Sequence, residues 1–271
     1  MTLESTRTAT GAPAPVGLLI DATRCIGCGE CARACRAEHG LAGELTPDLS
    51  ASAYTVVREK EGQFVRRLCM HCIDPTCVSV CPVAALRRLP GGQVVYDADA
   101  CMGCRYCIFA CPFDVPRYDW EKPFPVVAKC DLCHRRTSRG HQTACSFVCP
   151  MGATVSGPRG ALLEEARTRI RNDPGRYVDH IFGETEAGGT AVLILSGVPF
   201  DLAGINTAVS KQPLPETTWR VLEKLPYVVL NGGIFLGGLA WIIRRRMQFQ
   251  RHPELAEDLP VEPAPPKGEK P

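Results

Sequence analysis

The sequence is poor in aromatic residues, with 3 Trp, 6 Tyr and 9 Phe in 271 positions. It also has no dominant sign of charge, since 31 Lys and Arg nearly balance 29 Asp and Glu. It holds no Ser-His-Asp set, no glycine-rich phosphate loop and no substrate-pocket signature, so neither covalent hydrolysis nor nucleotide chemistry is suggested. The Thr, Ala and Pro-rich arm over residues 1–15 contains no twin-arginine pair, and Val16 to Ile20 is too short an apolar run for a secretory signal. That arm is expected to be disordered. Basic residues track the cysteines (Arg24, Arg33, Arg36, Arg66, Arg67, Arg87, Arg88, Arg105, Lys129, Arg135 and Arg136) rather than an aromatic stacking surface, which argues against nucleic acid as a partner. Most of them read as a solvated face, with a few offsetting buried negative charge.

Cysteine, by contrast, is abundant. The 16 cysteines fall in four groups of four with none left over: 25, 28, 31, 35; then 69, 72, 77, 81; then 101, 104, 107, 111; then 130, 133, 145, 149. The third group, Cys101-Met-Gly-Cys-Arg-Tyr-Cys-Ile-Phe-Ala-Cys-Pro112, has the C-x2-C-x2-C-x3-C-P spacing of bacterial ferredoxin ligand runs. Two-residue gaps wrap three thiolates around one face of an iron-sulfur cube, and Gly103 permits the turn. The fourth cysteine is carried too far round to close the same cube and ligates a neighbouring one. Four 4Fe-4S clusters are the expected cofactors, with all sixteen cysteines as iron ligands. Sixteen thiolates and four oxidised cores would bring the formal charge of +2 to about −6. A disulfide framework fits poorly, because cysteines two residues apart close poor loops. Structural zinc is an alternative for Cys130, Cys133, Cys145 and Cys149 taken alone.

Gly17 to Asp21 reads as a strand feeding the first run. There Arg36, not proline, follows the last cysteine, so a helix from Glu30 is expected to continue to His39 and to stop at Gly40. Residues 41–53 are a loop. Tyr54 to Arg58 and Phe64 to Leu68 form a hairpin before the second run, and Leu86 to Arg88 with Gln93 to Tyr96 form another before the third. This repeated hairpin-loop-helix pattern over residues 54–119 is a ferredoxin fold in miniature. Ala161 to Arg171 has helical spacing and ends at Pro174-Gly175, while Ala191 to Leu195 reads as a buried strand. His71 and His134, inside or beside ligand runs, are expected to be hydrogen-bond donors rather than catalysts.

The order of spacings, with a four-residue gap in the second run and an 11-residue insert in the fourth, resembles the four-cluster electron-transfer subunits of membrane-bound bacterial oxidoreductases. These are the formate dehydrogenase, dimethyl sulfoxide reductase, polysulfide reductase and hydrogenase-2 groups. The segment Arg176 to Phe200, with Gly183-Glu-Thr-Glu-Ala-Gly-Gly-Thr190 at its centre, is most similar to the hydrogenase-2 type. The resemblance implies a nested ligand set. Cys25, Cys28, Cys31 and Cys149 would hold one cube, and Cys35, Cys130, Cys133 and Cys145 the next. Cys69, Cys72, Cys77 and Cys111 would hold a third, and Cys81, Cys101, Cys104 and Cys107 the fourth.

Leu225 to Ile243 is 19 residues without a charge, closed by Arg244, Arg245 and Arg246. At about 1.5 Å per residue it matches a bilayer core. Trp219, Tyr227 and Trp241 are placed as interfacial anchors, and Gly233 and Gly237 make a G-x-x-x-G face. The rival expectation is an apolar helix buried in a soluble partner.

The fold class expected is therefore α+β: two pseudo-symmetric ferredoxin-like modules and one C-terminal transmembrane helix. The modules are an inner one over about 54–119 and an outer one over 16–53 with 120–200, followed by a linker at 201–224, a span at 225–243 and a disordered tail over 244–271. The arginines after the span favour a cytoplasmic C-terminus and a cluster domain on the outer side, exported with a signal-bearing partner. Lys211, Arg220 and Lys224 oppose that bias and keep the inner side as the alternative. The function expected is non-catalytic: an electron-transfer subunit relaying electrons between a catalytic subunit of hydrogenase or formate dehydrogenase type and a multi-span quinone-reactive membrane subunit, in contact with lipid. Two alternatives stand beside it: a subunit carrying electrons from quinol to a molybdopterin reductase, and a catalytic or regulatory cluster with an open iron.

Overall fold

The computed structural model describes residues 15–120 and 126–251. The N-terminal arm up to residue 14 and the tail from residue 252 lie outside the described residues. The chain divides into two units, residues 1–217 and 218–271.

The first unit is anchored by a three-stranded sheet. Strand β1 (Val16–Asp21) occupies its centre, flanked by β8 (Thr154–Pro158) antiparallel and β9 (Val192–Leu195) parallel. Strand alternation sorts the side chains of β1 and β9 onto two faces. Leu19, Leu193 and Leu195 pack with Leu162 and Ala166 of helix α6 (Arg159–Asn172). Leu18, Ile20, Val192 and Ile194 turn the other way, toward Leu68, Met70, Cys130, Leu132 and Cys145 of the ligand runs. One face of the sheet thus holds a helix and the other holds cysteines.

Between β1 and β8 the chain runs through helix α1 (Glu30–His39), the hairpin β2 (Val56–Lys60) and β3 (Gln63–Arg67), helix α2 (Thr76–Ser79), and the hairpin β4 (Leu86–Arg88) and β5 (Val94–Tyr96). Helix α3 (Tyr106–Ala110), the short pair β6 (Arg117–Tyr118) and β7 (Val127–Ala128), and helices α4 (His134–Thr137) and α5 (Ala144–Phe147) follow. The first hairpin turns more tightly than the spacing suggested. Its two-residue loop has Glu61 at φ 47° and Gly62 at φ 69°, both left-handed as such a hairpin loop requires. Helix α1 does continue to His39 and ends at Gly40 with φ 61°, whereas α2, α3 and α5 stop after four or five residues, each just before a Cys-Pro.

Two expected boundaries change. The segment at 201–224 is not a free linker. Phe200 and Ala203 are buried, Ala187 N donates to Ser210 O at 2.7 Å and Gly188 N to Lys211 O at 2.9 Å, and helix α7 (Leu214–Leu222) begins with Pro215 in its first turn, where no amide donor is needed. Nor does a disordered tail begin at 244, because helix α8 (Leu225–Arg251) runs on through the arginines, themselves good helix formers. Leu214–Gln248 is the one described helical stretch long and apolar enough to cross a membrane, and none of its apolar window is buried. Asn231 donates its side-chain amide to Tyr227 O at 2.7 Å, satisfying the polar group within the helix.

The sheet is latched to α6 by one buried carboxylate. Asp21 is fully buried and accepts from Arg169 Nη1 at 3.0 Å, Tyr177 OH at 3.0 Å and Thr23 Oγ1 at 2.7 Å. Removing Asp21 leaves Arg169 with only the half-exposed Glu165, at 2.9 Å, and leaves buried Tyr177 OH without its acceptor. Asp21→Ala is expected to lower unfolding stability by about 3–5 kcal/mol, read as a denaturant-midpoint shift of the full-length protein. A surface substitution such as Glu59→Ala should leave the midpoint unmoved.

Candidate iron-sulfur centres

Each ligand run opens on the same backbone device. The residue two positions after the first cysteine has a left-handed φ in all four: Gly27 at 70°, His71 at 50°, Gly103 at 75° and Leu132 at 55°. This conformation turns an amide toward the preceding sulfur, so that Gly103 N lies 3.4 Å from Cys101 Sγ and Leu132 N 3.4 Å from Cys130 Sγ. At Gly27 a side chain is excluded twice over, because an added Cβ would lie 2.5 Å from the Phe64 ring. His71 and Leu132 hold the strained conformation without glycine because both are locked in the interior, at 1% and 0% exposure.

The runs that end in Cys-Pro also close alike. Ala84, Asp114 and Gly152 all have left-handed φ. Their amides donate back to Cys81 O at 3.3 Å, Cys111 O at 3.2 Å and Cys149 O at 3.3 Å.

Crossing of runs gathers the cysteines into quartets. One cavity is lined by Cys25, Cys28, Cys31 and Cys149 (quartet A). A second is lined by Cys69, Cys72, Cys77 and Cys111 (quartet C), and a third by Cys81, Cys101, Cys104 and Cys107 (quartet D). Cys35, Cys130, Cys133 and Cys145 (quartet B) are all buried; the thiols of Cys145 and Cys133 act on Cys35, and those of Cys35 and Cys145 on Cys130. All sixteen cysteines are unbridged.

Burial is the main influence on Cys35, Cys72, Cys77, Cys111 and Cys130. It pushes Cys35 and Cys77 up to about 12 and Cys111 to about 11, with neighbouring thiols adding to the shift. Cys72 and Cys130 are raised further in the same direction. Metal ligation must therefore displace protons held firmly at neutral pH. The thiol-to-thiol influences across quartets follow one line: Cys31 of A feels Cys145 of B, Cys130 of B feels Cys69 of C, and Cys77 of C feels Cys107 of D. Donor chemistry, open space between the sulfurs and amides directed at them suit iron-sulfur cubes, four thiolates to each.

Around the quartets stand Tyr96, Tyr118, Thr143 and His39, which the sequence did not single out, together with His71 and His134, which it did; His71, expected to donate, accepts through Nδ1. Tyr118 OH is 3.8 Å from Cys107 Sγ, and Tyr96 lines the same cavity. Thr143, fully buried, sets Oγ1 3.4 Å from Cys145 Sγ. His39 Nε2 lies 3.3 Å from Asp131 Oδ1, and the nearness of Asp131, with Cys133, pushes the ring up to about 10. His134 is held by Asp131 Oδ2 at 2.8 Å. His71 accepts from Val94 N at 3.0 Å through Nδ1, so its Nε2 carries the proton, and burial keeps the ring neutral.

The segment 183–192 supports the second run. Gly189 O accepts from Ile73 N at 2.9 Å, Ala191 N donates to His71 O at 2.9 Å, and Val192 N to Met70 O at 3.1 Å. Glu186 closes this loop, accepting from Gly183 N at 2.7 Å and pairing with His180 at 2.7 Å. Arg159 spans it from α6, donating to Thr190 O at 2.7 Å.

Comparison with known proteins agrees with this geometry. Residues 60–159 match a family described as a 4Fe-4S dicluster domain, and residues 18–38 match a 4Fe-4S binding domain. The hydrogenase-2 operon protein HybA of Escherichia coli O157:H7 is 34% identical over 293 aligned positions, covering 89% of this chain and 87% of that protein. The iron-sulfur subunit of the nitrate-inducible formate dehydrogenase of Escherichia coli K12 is 36% identical, covering 66% of this chain and 67% of the relative. A protein of Nitratidesulfovibrio vulgaris is 39% identical over 89% of this chain and 70% of its own length. With four ligand runs and likeness extending over nearly the whole of HybA, the chain belongs to the ferredoxin-type electron-transfer subunits that carry four 4Fe-4S clusters, the family of HybA and the formate dehydrogenase iron-sulfur subunits.

Proposed function

We propose that the four quartets are the ligand sets of the four clusters, and that electrons cross the protein in the order A, B, C, D or its reverse. The observation that carries this reading is the gathering of four cysteines from two different runs around each of three separate cavities; the influence of Cys145 on Cys31 and of Cys69 on Cys130 supports B as the station between A and C. Each cluster, when bound, supplies a one-electron couple. The chain's own residues hold the sulfurs, exclude water and fix the spacing, which is the work of a relay and requires no catalytic residue. Quartets C and D sit in an inner module over about 54–119, and A and B in an outer one over 16–53 with 120–200. The matching turns at Ala84, Asp114 and Gly152 favour a pseudo-symmetric origin for the two.

The partner at one end is a catalytic subunit of hydrogenase or formate dehydrogenase type, by analogy with HybA and the formate dehydrogenase subunits. At the other end stands a multi-span membrane subunit exchanging electrons with quinone. Helix α8 anchors the chain beside it: its apolar residues are unburied, and Gly233 and Gly237 allow close approach to a neighbouring helix. Arg244 to Arg246 favour a cytoplasmic C-terminus and a cluster unit on the outer side, a bias that Lys211, Arg220 and Lys224 oppose.

Anaerobically purified protein should contain about four irons and four acid-labile sulfides for every four cysteines; zinc in their place would refute the relay. Cys25→Ser and Cys149→Ser should alter the same paramagnetic signal, whereas Cys35→Ser should alter a different one although it lies in the same run as Cys25. Electron paramagnetic resonance of the reduced variants decides. A chain lacking residues 225–271 should leave the membrane fraction on washing, and its persistence there would remove the anchoring role of α8.

A further inference from the structure

Most basic residues near the ligand runs reach solvent: Arg24, Arg33, Arg87, Arg88, Arg105 and Arg135 are exposed. Arg66 and Lys129 are not, with 3% and 6% exposure. Neither is paired with a carboxylate among the described residues. Arg66 donates Nε to Thr55 Oγ1 at 2.9 Å and Nη1 to Thr154 Oγ1 at 3.0 Å. Lys129 donates Nζ to Val94 O and, at 3.0 Å, to Cys130 O. A cation taken out of water without a counter-charge is strongly unfavourable, so it persists where a buried anion balances it.

The positions of the two cations identify those anions. Arg66 lines the cavity of quartet A and bonds Thr154, which lines it too, and the thiols that act on it are Cys31 of A with Cys145 and Cys130 of B. Lys129 lines the cavity of quartet C, acts on Cys77, and is bonded to the backbone of Cys130, a member of B. Quartet D has two phenols, Tyr96 and Tyr118, in its cavity wall and neither cation. A thiolate-ligated cube is an anion that gains a further negative charge on reduction, so a fixed cation beside it favours the reduced form, most strongly in a dry interior.

We propose that Arg66 and Lys129 are positioning charges that raise the reduction potentials of the clusters they touch, Arg66 those of A and B and Lys129 that of C, while D lies outside the reach of both. This rests on the assignment of the quartets as cluster sites. The hydroxyls of Thr55 and Thr154 hold the guanidinium without neutralising it, and the two carbonyls do the same for the ammonium. The charge that would otherwise resist each added electron is thereby offset along three consecutive stations of the relay.

The test is a mediated potentiometric titration of the full-length protein, followed by electron paramagnetic resonance, with signals assigned through the cysteine-to-serine variants. Wild-type iron and sulfide content is measured first. If the wild type lacks four irons per four cysteines, the cluster assignment fails; if it has them, the variants test the charges alone. In Arg66→Met the midpoints of A and B should fall by the equivalent of at least tenfold in the one-electron equilibrium, about 59 mV, with D unmoved. In Lys129→Met, C should fall likewise, with A and D unmoved. Arg66→Lys and Lys129→Arg, which keep the charge, should show much smaller shifts. Unchanged midpoints in the neutral variants overturn the proposal, as do equal shifts in neutral and charge-retaining variants or a uniform shift of all four clusters. Should Arg66→Met fail to assemble its clusters, Arg66→Gln, which retains a donor for the threonine hydroxyls, is read in its place; failure of both assigns Arg66 to assembly and overturns the tuning role.

Discussion

Gathering sixteen cysteines into one small unit, most of them wholly or partly out of water, is the constraint on which the rest of this structure depends. Taken out of water, Cys35, Cys72 and Cys130 resist ionisation, and neighbouring thiols add to that resistance. The protein answers with donors at every quartet. Backbone amides turned by left-handed residues face the first sulfur of a run, as at Gly103 and Leu132. Hydroxyls from Thr143 and Tyr118 reach Cys145 and Cys107, and two buried cations stand against quartets A, B and C. The hydrophobic core is arranged around these groups: Leu18, Ile20 and Ile194 pack directly on Cys130 and Cys145, so the apolar face of the sheet is also the wall of a cluster site.

Holding crossed runs in register falls to elements outside them. Sheet β8–β1–β9 joins the start of the chain to segments that follow the last cysteine, bringing the loop of Cys25 against the loop of Cys149. Residues 189–192 extend that sheet to the backbone of the second run at Met70, His71 and Ile73. The loop with Glu186 and Arg159 fixes this extension through backbone acceptors and donors, which explains why such a glycine-rich stretch is specific in sequence without lining any quartet. Gly183 serves the same end, since an added Cβ would meet Val192 O at 2.3 Å.

Several features could be read directly from residue order. The absence of proline after Cys35 gave a helix running to His39, and its presence after Cys81, Cys111 and Cys149 gave helices of a single turn. Gly103 marked a left-handed turn. His71 and Leu132 adopt the same turn with no glycine to announce it, because tertiary burial supplies the stabilisation that glycine would have made unnecessary. The helix over Leu214–Leu222 and the continuation of α8 to Arg251 were obscured by polar composition, which resembles that of a linker when the anchoring bonds from Ala187 and Gly188 are not known.

The cysteines, their run spacing and the expectation that a run gives its fourth cysteine to another run's quartet are local properties of the chain, set by the reach of a few peptide units, and were legible in the amino-acid order alone. Which buried side chains balance the quartets was decided only by the fold. Arg66 shares a hairpin with Arg67 and Lys129 adjoins Cys130, yet nothing in their neighbours distinguishes them from the solvated arginines of the other runs. Burial between quartets is a long-range property: it arises when residues 88 positions apart, such as Arg66 and Thr154, are brought to 3.0 Å.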